Sequence, residues 1–187
     1  MKGPDAPFPL STLRVWDILV RIFHWSLALS FTSAWLSSSS RDDTHQWIGL
    51  IAAALITFRI VWGFIGKPYA RFTQFVRSPK TTLLYLLAIL RGSEARYIGH
   101  NPAGAMMVLA LLASIATTAT TGWLMTTDAY FGDDTMQELH RFCAHGTVVL
   151  IAVHISGVIL ASYRHKENLV AAMFNGLKRS PGGGDVS

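Results

Sequence analysis

The sequence predicts an all-α integral membrane protein, an antiparallel four-helix bundle with a short interfacial helix on the cytoplasmic side, and three observations carry that prediction. Of its 187 residues 51% are hydrophobic and only 14% charged, with a mean hydropathy of +0.35, too apolar for an ordinary soluble domain of this length. Four apolar runs are each close to or above the ~20 residues that a helix needs to cross a bilayer. The lysines and arginines lie between these runs and not along one polar face, so the net charge of +5 signals membrane orientation and not a nucleic-acid footprint. The length fits a single domain over residues 1–187.

The first run, residues 18–36, reads ILVRIFHWSLALSFTSAWL. The residues before it lack an apolar core and a small-residue cleavage site, so this span is expected to stay as an anchor and not to be removed as a signal peptide. The second, 47–65, reads WIGLIAAALITFRIVWGFI. The third, 104–125, carries no charge, and the fourth, 139–163, is long enough to cross with some tilt. Residues 81–90, TTLLYLLAIL, are too short to span, which leaves an interfacial helix beside the membrane or an ordinary packed helix. The glycine-rich tail PGGGDVS, about 180–187, is expected to be disordered.

Short cytoplasmic loops carry an excess of Lys and Arg. The loop 66–103 holds Lys67, Arg71, Arg77, Lys80, Arg91 and Arg96 against one acid, Glu94. The chain ends add Lys2, Arg14, Arg164, Lys166, Lys178 and Arg179. On the opposite side Arg41 stands with Asp42 and Asp43, and residues 126–138 hold Asp128, Asp133, Asp134 and Glu138 with no base. Both termini and the 66–103 loop are therefore expected in the cytoplasm.

Ionisable groups inside a bilayer are costly and are functional candidates. Of seven histidines, His100 falls in a loop and His165 at headgroup level, and both are expected to be solvated. At ~100° per residue, His154 lies about 40° from His140 around the helix and His145 about 140° away. His140 and His154 thus share a face, about 21 Å apart along the axis, with Ala144, Thr147 and Ile151 between them. Depth supplies partners: His45 begins the second span level with His140, and His24 lies two turns into the first, level with His154. A lone intramembrane histidine serves as well in a hydrogen bond or a proton relay. Two pairs matched in phase and depth instead suit two haems, one above the other, each held between facing helices. Gly49, Gly146 and Gly157 would let a flat ring approach the backbone, or simply let helices pack closely. The single cysteine, Cys143, excludes paired-thiol metal sites, and the absence of C-x-x-C-H excludes a covalently attached haem. Cys143 reads as a small buried apolar residue.

The segments VWDILVRIFHW, FRIVWGFIGKPYARFTQFVRSP, YIGHNPAGAMMVLALL, ELHRFCAHGTVVLIAVHISGV and HKENLVAAM resemble the bacterial cytochrome b561 family, which includes the b-type cytochrome subunits of membrane hydrogenases and formate dehydrogenases. The resemblance extends over about residues 14–178. It implies a four-helix inner-membrane bundle holding two non-covalent haem b groups, with His24 and His154 ligating the cytoplasmic-side haem and His45 and His140 the outer one. It also implies electron exchange with quinone and with a c-type cytochrome or a dehydrogenase subunit. His145 has no ligand role in that scheme and is expected to make a structural hydrogen bond.

Arg14, Arg21, Arg59 and Arg164 lie toward the cytoplasmic side, where a guanidinium would match a haem propionate. Arg59 is the best placed, inside the second span, although snorkelling to the headgroups explains it equally. Three functions remain open: an electron-transfer subunit, a superoxide oxidase passing electrons to quinone, and a haem-free anchor or transporter. The acidic outer loops favour a basic docking partner over an anionic substrate. For a quinone site only His100 and Asn101 in GHNPAG attract notice, and a turn before a helix explains Asn-Pro as well.

Overall fold

The computed structural model describes residues 12–39 and 43–186; Lys2, Arg41 and Asp42, which entered the charge pattern, lie outside the described residues. Among them the chain forms α1 (Ile18–Leu36), α2 (Thr44–Ile65), a 3-10 turn (Pro68–Ala70), α3 (Phe72–Phe75), α4 (Pro79–Arg91), α5 (Pro102–Leu124), α6 (Asp134–His165) and α7 (Leu169–Asn175). Two short strands, β1 (Thr12–Arg14) and β2 (Leu177–Arg179), pair antiparallel.

Three of the four long helices, α1, α5 and α6, begin where a side chain satisfies free backbone N–H groups; α2 starts after Asp43 without a side-chain cap. Asp17 Oδ1 accepts from the N–H groups of Leu19 (3.0 Å) and Val20 (3.1 Å) to start α1. Asn101 Oδ1 accepts from Gly104 at 2.7 Å to start α5, with Pro102 at the first helical position, so the Asn-Pro turn is a helix cap. Asp133 Oδ1 accepts from Met136 at 2.7 Å, which starts α6 five residues before its apolar run.

Among the described residues three helices, α2, α5 and α6, are long and apolar enough to cross a membrane. α1 has the expected bounds but is not among them: Arg21, His24 and four Ser or Thr residues dilute its apolar content. α1 packs on α2, α2 on α5, and α5 on α6. Phe23, Ile56, Leu112 and Ile115 make the core shared by α1, α2 and α5. The α5–α6 seam is hydroxylic: the fully buried Thr147 meets Ser114 Oγ at 2.7 Å and donates to the carbonyl of Cys143 at 2.9 Å. Thr147 therefore faces α5, and does not merely fill the interval between His140 and His154. Small hydroxylic residues of this kind bring helices together where apolar burial gives no advantage over lipid. The outward faces keep large apolar groups exposed, such as Phe64, Val149 and Ile159, as a lipid-facing surface requires. α4 is too short to span and exposes Leu83, Leu84, Leu87 and Leu90.

One end of the bundle is closed by a compact cap. Val15, Trp16, Ile98 and Ala172 form its core. Gly176, at φ 81°, lets its carbonyl accept from Val15 and Trp16, and a Cβ there would lie 2.6 Å from the Trp16 carbonyl oxygen. Arg96, 5% exposed, binds Glu167 at 2.8 Å and Asp185 at 2.5 Å, while Lys178 sits 3.5 Å from Glu167. Val186 pairs with the backbone of Arg96 and Ile98. The tail through Val186, expected to be disordered on composition, is instead tied down, because Asp185 reaches a buried cation.

Arg96→Met would take the closer of its two cations from buried Glu167, leaving Lys178 at 3.5 Å, and would also remove the cation that Asp185 binds; we expect a loss of about 3 kcal/mol, read as faster hydrogen exchange over residues 177–186. Acid acts on the same contact. Burial would raise the Glu167 carboxyl, but hydrogen bonds from Arg96 and the Arg179 N–H outweigh it and hold it below its ordinary 4.5. A group depressed in the folded state stabilises above its unfolded value. Exchange protection of the cap should therefore be complete at neutral pH and fall as the pH drops below 4.5.

Candidate metal centres

Four histidines meet in two pairs. His24, two turns into α1, faces His154 of α6 with ring centroids 6.4 Å apart and planes at 54°. His45, on the first turn of α2, faces His140 near the start of α6 at 6.1 Å and 85°. α6 thus contributes one ring to each pair, while its backbone packs most closely on α5. The spatial pairing is the one that helix phase and depth predict.

In the outer pair both rings are fastened through Nδ1. His45 Nδ1 lies 2.8 Å from the carbonyl of Ala34, at the end of α1. His140 Nδ1 lies 3.1 Å from the carbonyl of Thr118 and 3.1 Å from Thr121 Oγ1, both on α5. A nitrogen facing a carbonyl must carry the proton, so Nε2 of each ring keeps its lone pair for a metal. α5 also makes room: a Cβ on Gly122 would lie 3.1 Å from His140 Cε1. Gly122 was not singled out in the sequence, where one glycine in an uncharged run carries no signal of what lies across the seam. By contrast a Cβ on Gly49, Gly146 or Gly157 meets nothing within 4 Å, so no protein neighbour requires a glycine there.

In the inner pair, His24 Nδ1 is buried without a hydrogen-bond partner, and Trp25 meets the ring edge-on at 4.9 Å. Around it stand further polar groups. Arg59 is only 2% exposed, so it does not snorkel; it donates through Nη2 to the carbonyl of Ala70 at 3.1 Å and lies over the Phe72 ring. Arg21 donates through Nη1 to the carbonyl of Phe174, and its Nε is buried and unpartnered. Arg164 is engaged with Glu94 at 2.8 Å, and Arg14 lies in β1.

His100 corrects the expectation of a solvated loop residue. The 3-10 turn and α3 fold the loop back under the bundle, and the ring is wedged between Trp16 (4.7 Å) and Phe75 (4.5 Å). Burial, then the charges of Arg59 and Lys178 and the neighbouring His154, push its imidazole down to about 3, so it is neutral at any physiological pH. His145 stands apart from both pairs: its Nδ1 meets the Arg141 carbonyl at 2.7 Å and its ring meets Trp35 edge-on at 5.1 Å. Cys143 is half-buried.

Among the described residues no cluster of three or more His, Cys, Asp or Glu side chains could hold a bare metal ion, so the pairs must be judged as two-ligand sites. With a metal–imidazole bond of about 2.0 Å and roughly 1.1 Å from nitrogen to ring centre, two axial imidazoles have centroids roughly 6.2 Å apart. The observed 6.4 and 6.1 Å fit a haem iron between each pair.

Apolar helices of membrane-crossing length with imidazoles paired across them define a membrane cytochrome of the b type, whose haem is held by side chains alone. The family model of prokaryotic cytochrome b561 matches residues 15–176, and the chain belongs to that family. Membership makes it a bacterial membrane protein of electron transfer that binds haem b. None of the curated proteins and none of the solved structures matches it.

Gly122→Val places methyl groups where His140 must lie. Purified variant is expected to hold less haem b than the parent by pyridine haemochrome assay, whereas Gly183→Val, in the tail, should hold the full amount.

Proposed function

We propose that the chain is a single-domain, di-haem cytochrome of the bacterial inner membrane, passing electrons between the quinone pool and a c-type cytochrome or dehydrogenase subunit. The observation that carries this reading is the presence of two facing imidazole pairs whose α6 members are fourteen residues, about 21 Å of helix, apart. One pair lies toward each end of the bundle. His24 and His154 would hold the inner haem, and His45 and His140 the outer one.

Haem b held by His24 with His154 and by His45 with His140 would supply one-electron transfer chemistry. The chain supplies the rest. The Ala34 and Thr118 carbonyls orient His45 and His140. Phe23, Ile56, Leu112 and Ile115 keep water out of the α1–α2–α5 core. α1 is read as the fourth span: it packs along α2, and its polar groups are turned to use, His24 toward His154 and Arg21 toward the α7 end. Both termini then lie in the cytoplasm, in keeping with the basic 66–103 loop. At the opposite end Asp128, Asp133, Asp134 and Glu138 leave a net negative rim, since the nearby Arg141 is already paired with Glu138 at 2.7 Å. Such a rim favours a basic electron-transfer partner.

Anaerobic stopped-flow haem spectroscopy tests the assignment, with quinol, superoxide and a reduced c-type cytochrome offered in turn. We expect reduction by quinol and by the cytochrome; rapid reduction by superoxide with no response to the cytochrome would replace this reading with a superoxide:quinone oxidoreductase. For the sites, His45→Ala and His140→Ala should each remove the same haem, and His24→Ala and His154→Ala the other, as read by redox titration. Retention of both haems in any of the four would refute that pairing.

A further inference from the structure

The inner end holds buried donors that the axial pairs do not use. Arg59 Nη1 is buried and has no hydrogen-bond partner, and neither does His100 Nδ1. A guanidinium buried in a bundle without a counter-charge is expensive, and an unsatisfied donor adds to the cost. The charge of Asp17 acts on Arg59 without touching it, because its oxygens are engaged elsewhere: one accepts from the N–H groups of Leu19 and Val20, and the other faces Trp62 Nε1 at 3.4 Å. Among the described residues no salt bridge reaches Arg59.

The direction in which Arg59 lies follows from α2 itself. It comes fourteen residues after His45, the same interval that separates His140 from His154 on α6. At 3.6 residues per turn Arg59 and His45 fall within about 40° of one another around the helix, at two depths about 21 Å apart. The stripe of α2 that presents His45 to the outer pair therefore presents Arg59 at the level of the inner pair. His100 approaches the same level from the turn before α5. Phe72 and Phe75, in ring contact with each other, connect the two: Arg59 lies over Phe72, and Phe75 packs on His100. The His100 side chain is partly accessible, but its Nδ1 is buried.

We infer that Arg59 and His100 form a carboxylate clamp that fastens a propionate of the inner haem, an inference that rests on the two-haem reading above. Arg59 is a charged donor, and His100 in the tautomer with its proton on Nδ1 is a neutral one; a carboxylate between them would satisfy both. A neutral imidazole donates through Nδ1–H, and a guanidinium already anchored at Ala70 keeps its second terminal nitrogen free for a carboxylate oxygen. Arg164, engaged with Glu94, is excluded from this role.

The test compares haem b with its dimethyl ester, in which both propionates are blocked, in protein reconstituted with each. Loss of the inner haem to apomyoglobin and the midpoint of the inner component in redox titration are read, with the outer haem as internal reference. A hydrogen bond to a charged group is worth enough that Arg59→Gln should lose inner haem b roughly tenfold faster or more. The inner midpoint should fall, since a nearby cation favours the reduced form, and Arg59→Lys should recover part of both effects. His100→Phe should lose inner haem b several-fold faster. With the dimethyl ester, parent and variants should behave alike, and the outer haem should be unaffected throughout. If Arg59→Gln does not assemble, the His100→Phe comparison decides. Variants equal to the parent with haem b, or a defect that persists undiminished with the ester, would overturn the clamp; the latter outcome points to an architectural role or to another anion such as a lipid phosphate. Parent protein that purifies without b-type haem would instead overturn the two-haem reading itself.

Discussion

An imidazole enclosed in an apolar bundle must have both ring nitrogens provided for, and the arrangement of this chain follows from that constraint. At the outer end the provision is explicit. Backbone carbonyls at the end of α1 and on α5 take one nitrogen of His45 and of His140, and what remains are two nitrogens free to turn toward a common point. The helices are placed accordingly. α5 must lie against α6 to offer its carbonyl, which is why their seam is built from Ser114, Thr118 and Thr147 and opened by Gly122. α1 must end beside the start of α2, which the short connection between them enforces.

Much of this was legible in the chain, and what was not has a common cause. The first span agrees at both ends, because Asp17 marks its start and the apolar run its length. The fourth begins five residues earlier than its apolar run, since a hydropathy pattern registers the hydrocarbon crossing whereas a helix starts at its cap, here Asp133. The pairing of the histidines was readable because it depends only on helix period and depth. His100 and the tail were misread because their surroundings come from far away in sequence. Asp185 lies 89 residues from the Arg96 that holds it, and α1 to α4 separate Trp16 from His100 in the chain. Local composition says loop or disorder for both, and only the folded chain shows that these polar groups have been taken out of water.

The two ends of the molecule are stabilised by different physics. Within the bundle, apolar burial has little to offer against lipid, so small residues and hydroxyl bridges set the spacing. In the cap, aqueous rules return: Val15, Trp16, Ile98 and Ala172 bury apolar surface, and Arg96, Lys178, Glu167 and Asp185 balance one another's charge. The cap also joins the first and last parts of the described chain through β1 and β2. It thereby holds the start of α1, and with it His24, at a set distance from the end of α6.

The unequal fastening of the two imidazole pairs has a thermodynamic consequence. Rings pinned through Nδ1 have already lost their rotational freedom, so the outer pair is preorganised and little further entropy is lost when a ligand settles between its members. His24 has no such tether, and ordering it becomes part of the cost of filling the inner site. On the two-haem reading, the site between His45 and His140 would fill first, and the one between His24 and His154 would depend on whatever additional contacts the capped end of the bundle can provide.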